Sequence, residues 1–200
     1  IVKDASACLS SIVSSFPYTV KRDQYLLMSL MHGDLSDQVG SNAKLAVMIT
    51  IQVTASLICL QKANLCYVDL KLKNVMYSCV NGNIKTYLGD LGGAIECGHD
   101  GGVSSYPPPE YYDGQIGHAS EKDIVWSLGV VLLMLLDLNE WIFSFIEFPK
   151  GLDDTDMAKL LKYLIVNRMN KASPTIVRYN LEVLIAGMMN TDREARWTLA

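Results

Sequence analysis

Between Ile124 and Leu136 the chain runs IVWSLGVVLLMLL, apolar on every side of a helix apart from Ser127 and Gly129. Such a helix has no polar face to turn toward water, so other elements must wrap it. It is shorter than the roughly 20 residues that cross a bilayer, and no membrane span is expected. The rest of the chain has to supply a core around it. Its 200 residues, half of them apolar, are enough for one such core, so a single globular unit is expected.

Charge and cysteine usage narrow the class. The net charge is −4, with no basic block that would track a nucleic acid and no long acidic tail. No nucleic-acid partner is expected. Cys8, Cys59, Cys66, Cys79 and Cys97 are odd in number, scattered, and lack any Cys-x-x-Cys pair for zinc or redox work. They point to a reducing, intracellular compartment, the cytoplasm. No secretory signal is read at the N-terminus, which lacks a basic start followed by an apolar stretch.

The chemistry-bearing stretch is Tyr67-Val68-Asp69-Leu70-Lys71-Leu72-Lys73-Asn74, followed by Gly89-Asp90-Leu91-Gly92. This spacing can gather a base, a phosphate-binding cation and two metal ligands around one transferring phosphoryl group. An acceptor hydroxyl must be oriented and relieved of its proton, which Asp69 can do. Charge spreading over the phosphoryl oxygens calls for Lys71 and magnesium. Magnesium takes oxygen ligands, and the Asp90 carboxylate with the Asn74 amide oxygen suits it. Alone, Asp-Leu-Lys is an ordinary surface tripeptide and Asp-Leu-Gly-Gly a turn. Their order and separation carry the signal.

These stretches resemble the catalytic loop and the Asp-Phe-Gly metal motif of eukaryotic-type protein kinases. Tyr106-Pro107-Pro108-Pro109-Glu110 resembles the Ala-Pro-Glu segment that closes a kinase activation loop. Trp126-Ser127-Leu128-Gly129 resembles the start of the large buried helix behind it, and Arg196 the late arginine that pairs with Glu110. The resemblance implies a mainly α, α+β overall, kinase-like C-terminal lobe with a remnant of the small-lobe sheet. Residues 1–31 would be that remnant and residues 32–200 the large lobe. It implies ATP and Mg2+ as cofactors and a protein substrate. Asp69 would orient the acceptor, Lys71 steady the phosphate, and Asn74 and Asp90 hold magnesium. Met28 would be the gatekeeper, Ser29, Leu30 and Met31 would meet adenine, and Met76 would floor the pocket. For these five, ordinary core packing is the competing reading.

Local patterns agree with that order. Lys3 to Ile12 would be a helix tail, and Phe16 to Val20 and Gln24 to Leu30 two strands around Lys21-Arg22-Asp23. Leu45 to Gln61 carries a helical apolar period. Val75 to Ser78 and Ile84 to Leu88 flank Asn81-Gly82-Asn83, a hairpin signal. Asp153 or Asp154 can cap one later helix and Ser173-Pro174 another. No glycine-rich loop precedes the hinge, so the rest of a small lobe is expected upstream in a longer chain. The isolated 200 residues are then expected to bind ATP poorly and to be inactive in transfer.

Several positions depart from the family pattern. Val68 replaces the arginine that receives a phosphorylated activation loop, and Tyr67 replaces a loop-holding histidine. Leu91 replaces phenylalanine. Val103 stands at the substrate-loop threonine, with Ser104 beside it. Asp123 lies one residue further from Trp126 than usual, which puts its support of the catalytic loop in question. The leading reading is a serine/threonine kinase, favoured by Lys71. A pseudokinase or scaffold is the alternative, supported by Val68, Val103 and the missing small lobe. A small-molecule phosphotransferase is a third, which the Pro-Pro-Glu segment and Arg196 disfavour.

Overall fold

The computed structural model describes residues 15–20, 23–99, 104–111, 119–136, 175–190 and 192–199. The expected helix tail from Lys3 to Ile12, the caps at Asp153, Asp154 and Ser173, and Val103 lie outside them. In chain order the strands are β1 (Ser15–Val20), β2 (Asp23–Met28), β3 (Gly33–Asp34), β4 (Leu65–Tyr67), β5 (Val75–Val80), β6 (Asn83–Leu88) and β7 (Ala94–Glu96). The α-helices are α1 (Ala43–Lys62), α2 (Glu121–Leu135) and α3 (Thr175–Met188). The strands form three small antiparallel sheets, β1-β2, β3-β5-β6 and β4-β7.

Capping residues and apolar spacing explain α1. Asn42 accepts a hydrogen bond from the Leu45 amide at 3.0 Å, a cap that stabilises a helix start by about 1 kcal/mol. Ala46, Ile49, Val53, Leu57 and Leu60 recur at three- and four-residue intervals and form one buried stripe. Ile51, off that stripe, is exposed. The helix stops before Asn64, whose φ of 60° is left-handed, a conformation that ends helices and that Asn tolerates. The same residue docks β7: its carbonyl accepts from the Cys97 amide at 3.0 Å, and its side chain donates to Glu96 at 3.0 Å.

By length and hydropathy α1 could cross a bilayer. Its buried stripe instead packs against β4, β6 and α2. Gln52 fastens the hairpin to it, accepting from the Thr86 amide at 2.9 Å and donating to the Ile84 carbonyl at 3.1 Å. The hairpin turns through Asn81 and Gly82, with φ of 52° and 77°. Positive angles at both turn residues match the right-handed twist of the flanking strands.

α2 is buried along nearly its whole length, as a helix without a polar face demands. Its start is a capping box, in which Asp123 Oδ2 accepts from the Ser120 amide at 3.1 Å and from its hydroxyl at 3.0 Å. The question over Asp123 is thereby answered among the described residues: it caps α2 and pairs with Arg193 at 3.6 Å. None of its described hydrogen bonds reaches residues 67–74. Burial raises its carboxyl pKa, against the pull of Ser120 and Arg193.

Among the described residues three of the cysteines are disulfide-bonded. Cys66 of β4 and Cys97, just past β7, are joined by a disulfide, and Cys59 is disulfide-bonded too. Among the described residues Cys79 is the free thiol. Scattered spacing was therefore no guide to pairing.

Among the described residues Arg196 is the largest fully buried side chain. Its Nη1 and Nη2 donate to Glu110 Oε1 and Oε2, both at 2.9 Å. Its Nε reaches the Asn190 carbonyl at 2.9 Å, and its guanidinium lies 5.0 Å from the Trp126 ring centre. Removing one partner strands a charge in the core. Glu110→Ala and Arg196→Ala are each expected to cost about 3–5 kcal/mol, and the double variant less than their sum. Denaturant unfolding of all three checks this, and strict additivity would show that the pair is not coupled.

Candidate active site

β4 delivers the chain to Asp69, and a short 3-10 turn (Leu72–Asn74) carries it into β5. The turn doubles back, so three polar side chains distant along an extended chain meet. Lys71 Nζ lies 2.6 Å from Asp69 Oδ2. Asn74 Nδ2 donates to Asp69 Oδ2 at 3.0 Å and to the Asp69 carbonyl at 2.9 Å. On the other side, Ser105 Oγ donates to Asp69 Oδ1 at 2.6 Å. Burial pushes the Asp69 carboxyl pKa up, but bonds from Lys71 and Ser105, the Lys71 charge and Asn74 together hold it below its ordinary value. At neutral pH Asp69 is a carboxylate.

Asp90 arrives from β6 through Gly89. Two links tie that loop to the Asp69 loop. The Tyr67 hydroxyl donates to the Gly89 carbonyl at 2.6 Å. Burial, followed by the charges of Asp90 and Asp69, raises the Tyr67 pKa, so the phenol keeps its proton for this bond. The second link is steric. A Cβ placed on Gly93 would lie 3.0 Å from Asp69 Cβ, so a side chain there would have to push the two loops apart by a few tenths of an ångström. The backbone also joins there, the Val68 amide donating to the Gly93 carbonyl at 3.4 Å.

A hard cation would find oxygen ligands here. The Asp90 carboxylate is exposed and accepts no hydrogen bond from any described residue. Asn74 spends its amide nitrogen on Asp69, which leaves its Oδ1 as an acceptor. Asp90 itself has φ 41° and ψ 65°, left-handed backbone that costs a side-chain-bearing residue free energy. An Asp90 carboxylate without a partner among the described residues, on a loop whose Gly89 amide donates to the Asn74 carbonyl at 2.8 Å, would suit a magnesium-sized ion shared with the Asn74 amide oxygen.

Of the residues expected from sequence, Asp69, Lys71 and Asn74 are joined directly, and Asp90 adjoins them through Gly89 and Gly93. Met76 packs over Gly89, where an added Cβ would lie 3.2 Å from its Cγ. Met28, Ser29 and Leu30 are exposed, so core packing does not describe them; Met31 is half-buried. Their hydrogen bonds do not reach the Asp69 cluster. Ser104, next to the expected threonine position, turns inward, its Oγ 3.1 Å from Ser127 Oγ. Ser105 meets Asp69 instead, an outcome for which neighbouring hydroxyls in sequence gave no discriminating signal.

Tyr67→Phe is expected to leave the Gly89 carbonyl without its buried donor and to cost about 1–3 kcal/mol. An unfolding midpoint equal to that of the unaltered protein would mean that this bond does not hold the two loops together.

With that geometry described, comparison with known families is informative. Residues 7–200 match the protein kinase domain model. No curated protein matches the sequence. Nearly the whole chain is covered, and residues 67–74 and 89–92 lie within the match, so the chain belongs to the protein kinase domain family.

Proposed function

We propose that this kinase domain is a serine/threonine kinase, transferring the γ-phosphoryl group of ATP to a protein hydroxyl. The supporting observation is the division of labour on Asp69. Oδ2 is held by Lys71 and Asn74, and Oδ1 is turned toward a hydroxyl. A fixed, ionised carboxylate with one oxygen open to a hydroxyl is what orienting an acceptor requires. Lys71, already at the carboxylate, supplies positive charge where phosphoryl oxygens would lie. Asn74 and Asp90 would hold magnesium, which when bound neutralises charge on the phosphates.

In this reading residues up to 31 belong to the small-lobe side and hinge, residues from 32 onward to the large lobe, and Met28 to Met31 with Met76 line the adenine site. The exposure of Met28 and Leu30 is consistent with a surface kept for a ligand. The same exposure, with Leu27 and Tyr25 also open to solvent, favours a second reading, a scaffold that binds a partner through this hairpin. Nucleotide binding separates the two.

In the full-length protein, Asp69→Asn and Asp90→Asn are each expected to lower transfer by about a hundredfold or more while the protein stays folded. Asp69 is only partly buried and Asp90 is exposed, and Asn tolerates the left-handed backbone at position 90. Phosphate transfer to casein with magnesium-ATP, alongside circular dichroism, checks this. Undiminished transfer in either folded variant would remove that residue from the mechanism.

A further inference from the structure

Asp69, Lys71, Asn74 and Asp90 all lie between Cys66 and Cys97, inside the ring that their disulfide closes. The bridge spans 31 positions of sequence and ties the strand that enters the Asp69 loop to the end of the strand that follows Asp90. Those strands, β4 and β7, form a sheet of their own with three residue pairs. A two-stranded ladder that short is marginal in water, so the covalent link carries much of the task of keeping the strands together.

The two sulfur-bearing residues are unequally placed. Cys66 is sealed in the core, whereas Cys97 is half-buried between the exposed Glu96 and Gly98. A thiol arriving from solvent therefore meets the bridge on its Cys97 side. The chain around Cys97 is also anchored without the bridge. The Cys97 amide donates to the Asn64 carbonyl at 3.0 Å, the Gly98 amide to the Ala119 carbonyl at 2.9 Å, and the Ala119 amide to the His99 carbonyl at 3.0 Å. An opened bridge would thus leave its two thiols close enough to pair again. The Arg196–Glu110 pair and the packing of α1 on α2 do not pass through it, so opening stays local.

We propose that the Cys66–Cys97 disulfide is a redox-reversible clasp on the active site, opened by a dithiol. One thiolate of the dithiol attacks the Cys97 sulfur, the bond between the two cysteines breaks, and Cys66 leaves as a thiolate that takes up a proton. The second thiol of the reductant then attacks the mixed disulfide and releases Cys97. The protein gains two electrons and two protons, and the dithiol becomes a cyclic disulfide. Closed, the clasp holds the Asp69 and Asp90 loops at one spacing. Open, it lets β7 part from β4, and the loops keep only weaker ties such as the 3.4 Å bond from the Val68 amide to the Gly93 carbonyl. Its effect on phosphoryl transfer rests on the kinase reading above, and its effect on local order does not.

The test uses the full-length protein, with dithiothreitol as the dithiol and its cyclic disulfide as the oxidant. Alkylation with peptide mass spectrometry scores the Cys66–Cys97 bond, and hydrogen exchange follows the amides of residues 65–68, of residues 94–97 and of α2. Opening the bond is expected to speed exchange at 65–68 and 94–97 by about tenfold or more, to leave α2 unchanged, and to slow magnesium-ATP transfer to casein, all restored on reoxidation. Cys97→Ser should show the open behaviour without any reductant and ignore the dithiol. A dithiol response that persists in Cys97→Ser would assign the effect to the disulfide of Cys59 and overturn the inference. So would a bond that resists the dithiol, free thiols at both positions after the oxidant, or unchanged exchange with the bond shown open. Exchange that rises equally in α2 would overturn it as well, because the bridge would then staple the whole fold. Equal transfer with the bond open and closed would overturn its hold on the site and leave the kinase reading standing. Transfer in neither state would overturn the kinase reading, while reversible local exchange would still support the clasp.

Discussion

A guanidinium sealed from solvent is among the costliest groups a core can hold, and Arg196 is almost fully buried. Glu110 answers it through two parallel bonds, Asn190 and Lys122 supply carbonyls, and the Trp126 ring lies beneath. Each partner comes from a different part of the chain: Glu110 from the turn after the Ser104–Tyr106 segment, Lys122 and Trp126 from α2, Asn190 from the end of α3. The charge can be satisfied only when all of them are in place. It therefore fixes the segment that presents Ser105, and through that segment the surroundings of Asp69.

The site is assembled from short pieces rather than from one rigid element. β4 and β7 are three residues each, yet they flank the two loops that matter, and the Cys66–Cys97 bridge adds a covalent link to their short hydrogen-bonded ladder. Tyr67 and Gly93 add a polar and a steric link between the same loops. The result is a carboxylate whose two oxygens have different neighbours. That asymmetry lets one oxygen be held by cations and amides while the other deals with a hydroxyl.

Much of this was legible in the sequence where chemistry and spacing act together. Asp69, Lys71 and Asn74 lie within one tight turn, so their meeting follows from local geometry. Asn81-Gly82 dictates its own turn, and the period of α1 dictates its buried stripe. Glu110 and Arg196, far apart in sequence, were legible only through the family resemblance. What stayed hidden depends on three-dimensional packing. Whether Ser104 or Ser105 reaches Asp69 is decided by which one α2 can bury against Ser127. Whether Cys66 finds Cys97 depends on β4 meeting β7. Asp123 caps its own helix because one extra residue before Trp126 moves it to the third helical position.

The backbone at Asp90 sets stability and chemistry against each other. A left-handed φ costs a residue with a side chain about 1 kcal/mol that glycine would not lose. A search that rewards heat resistance alone would therefore drift toward glycine at position 90 and discard the carboxylate on the way. Retention of Asp90 through such a search would be a sign that something other than folding is being selected there.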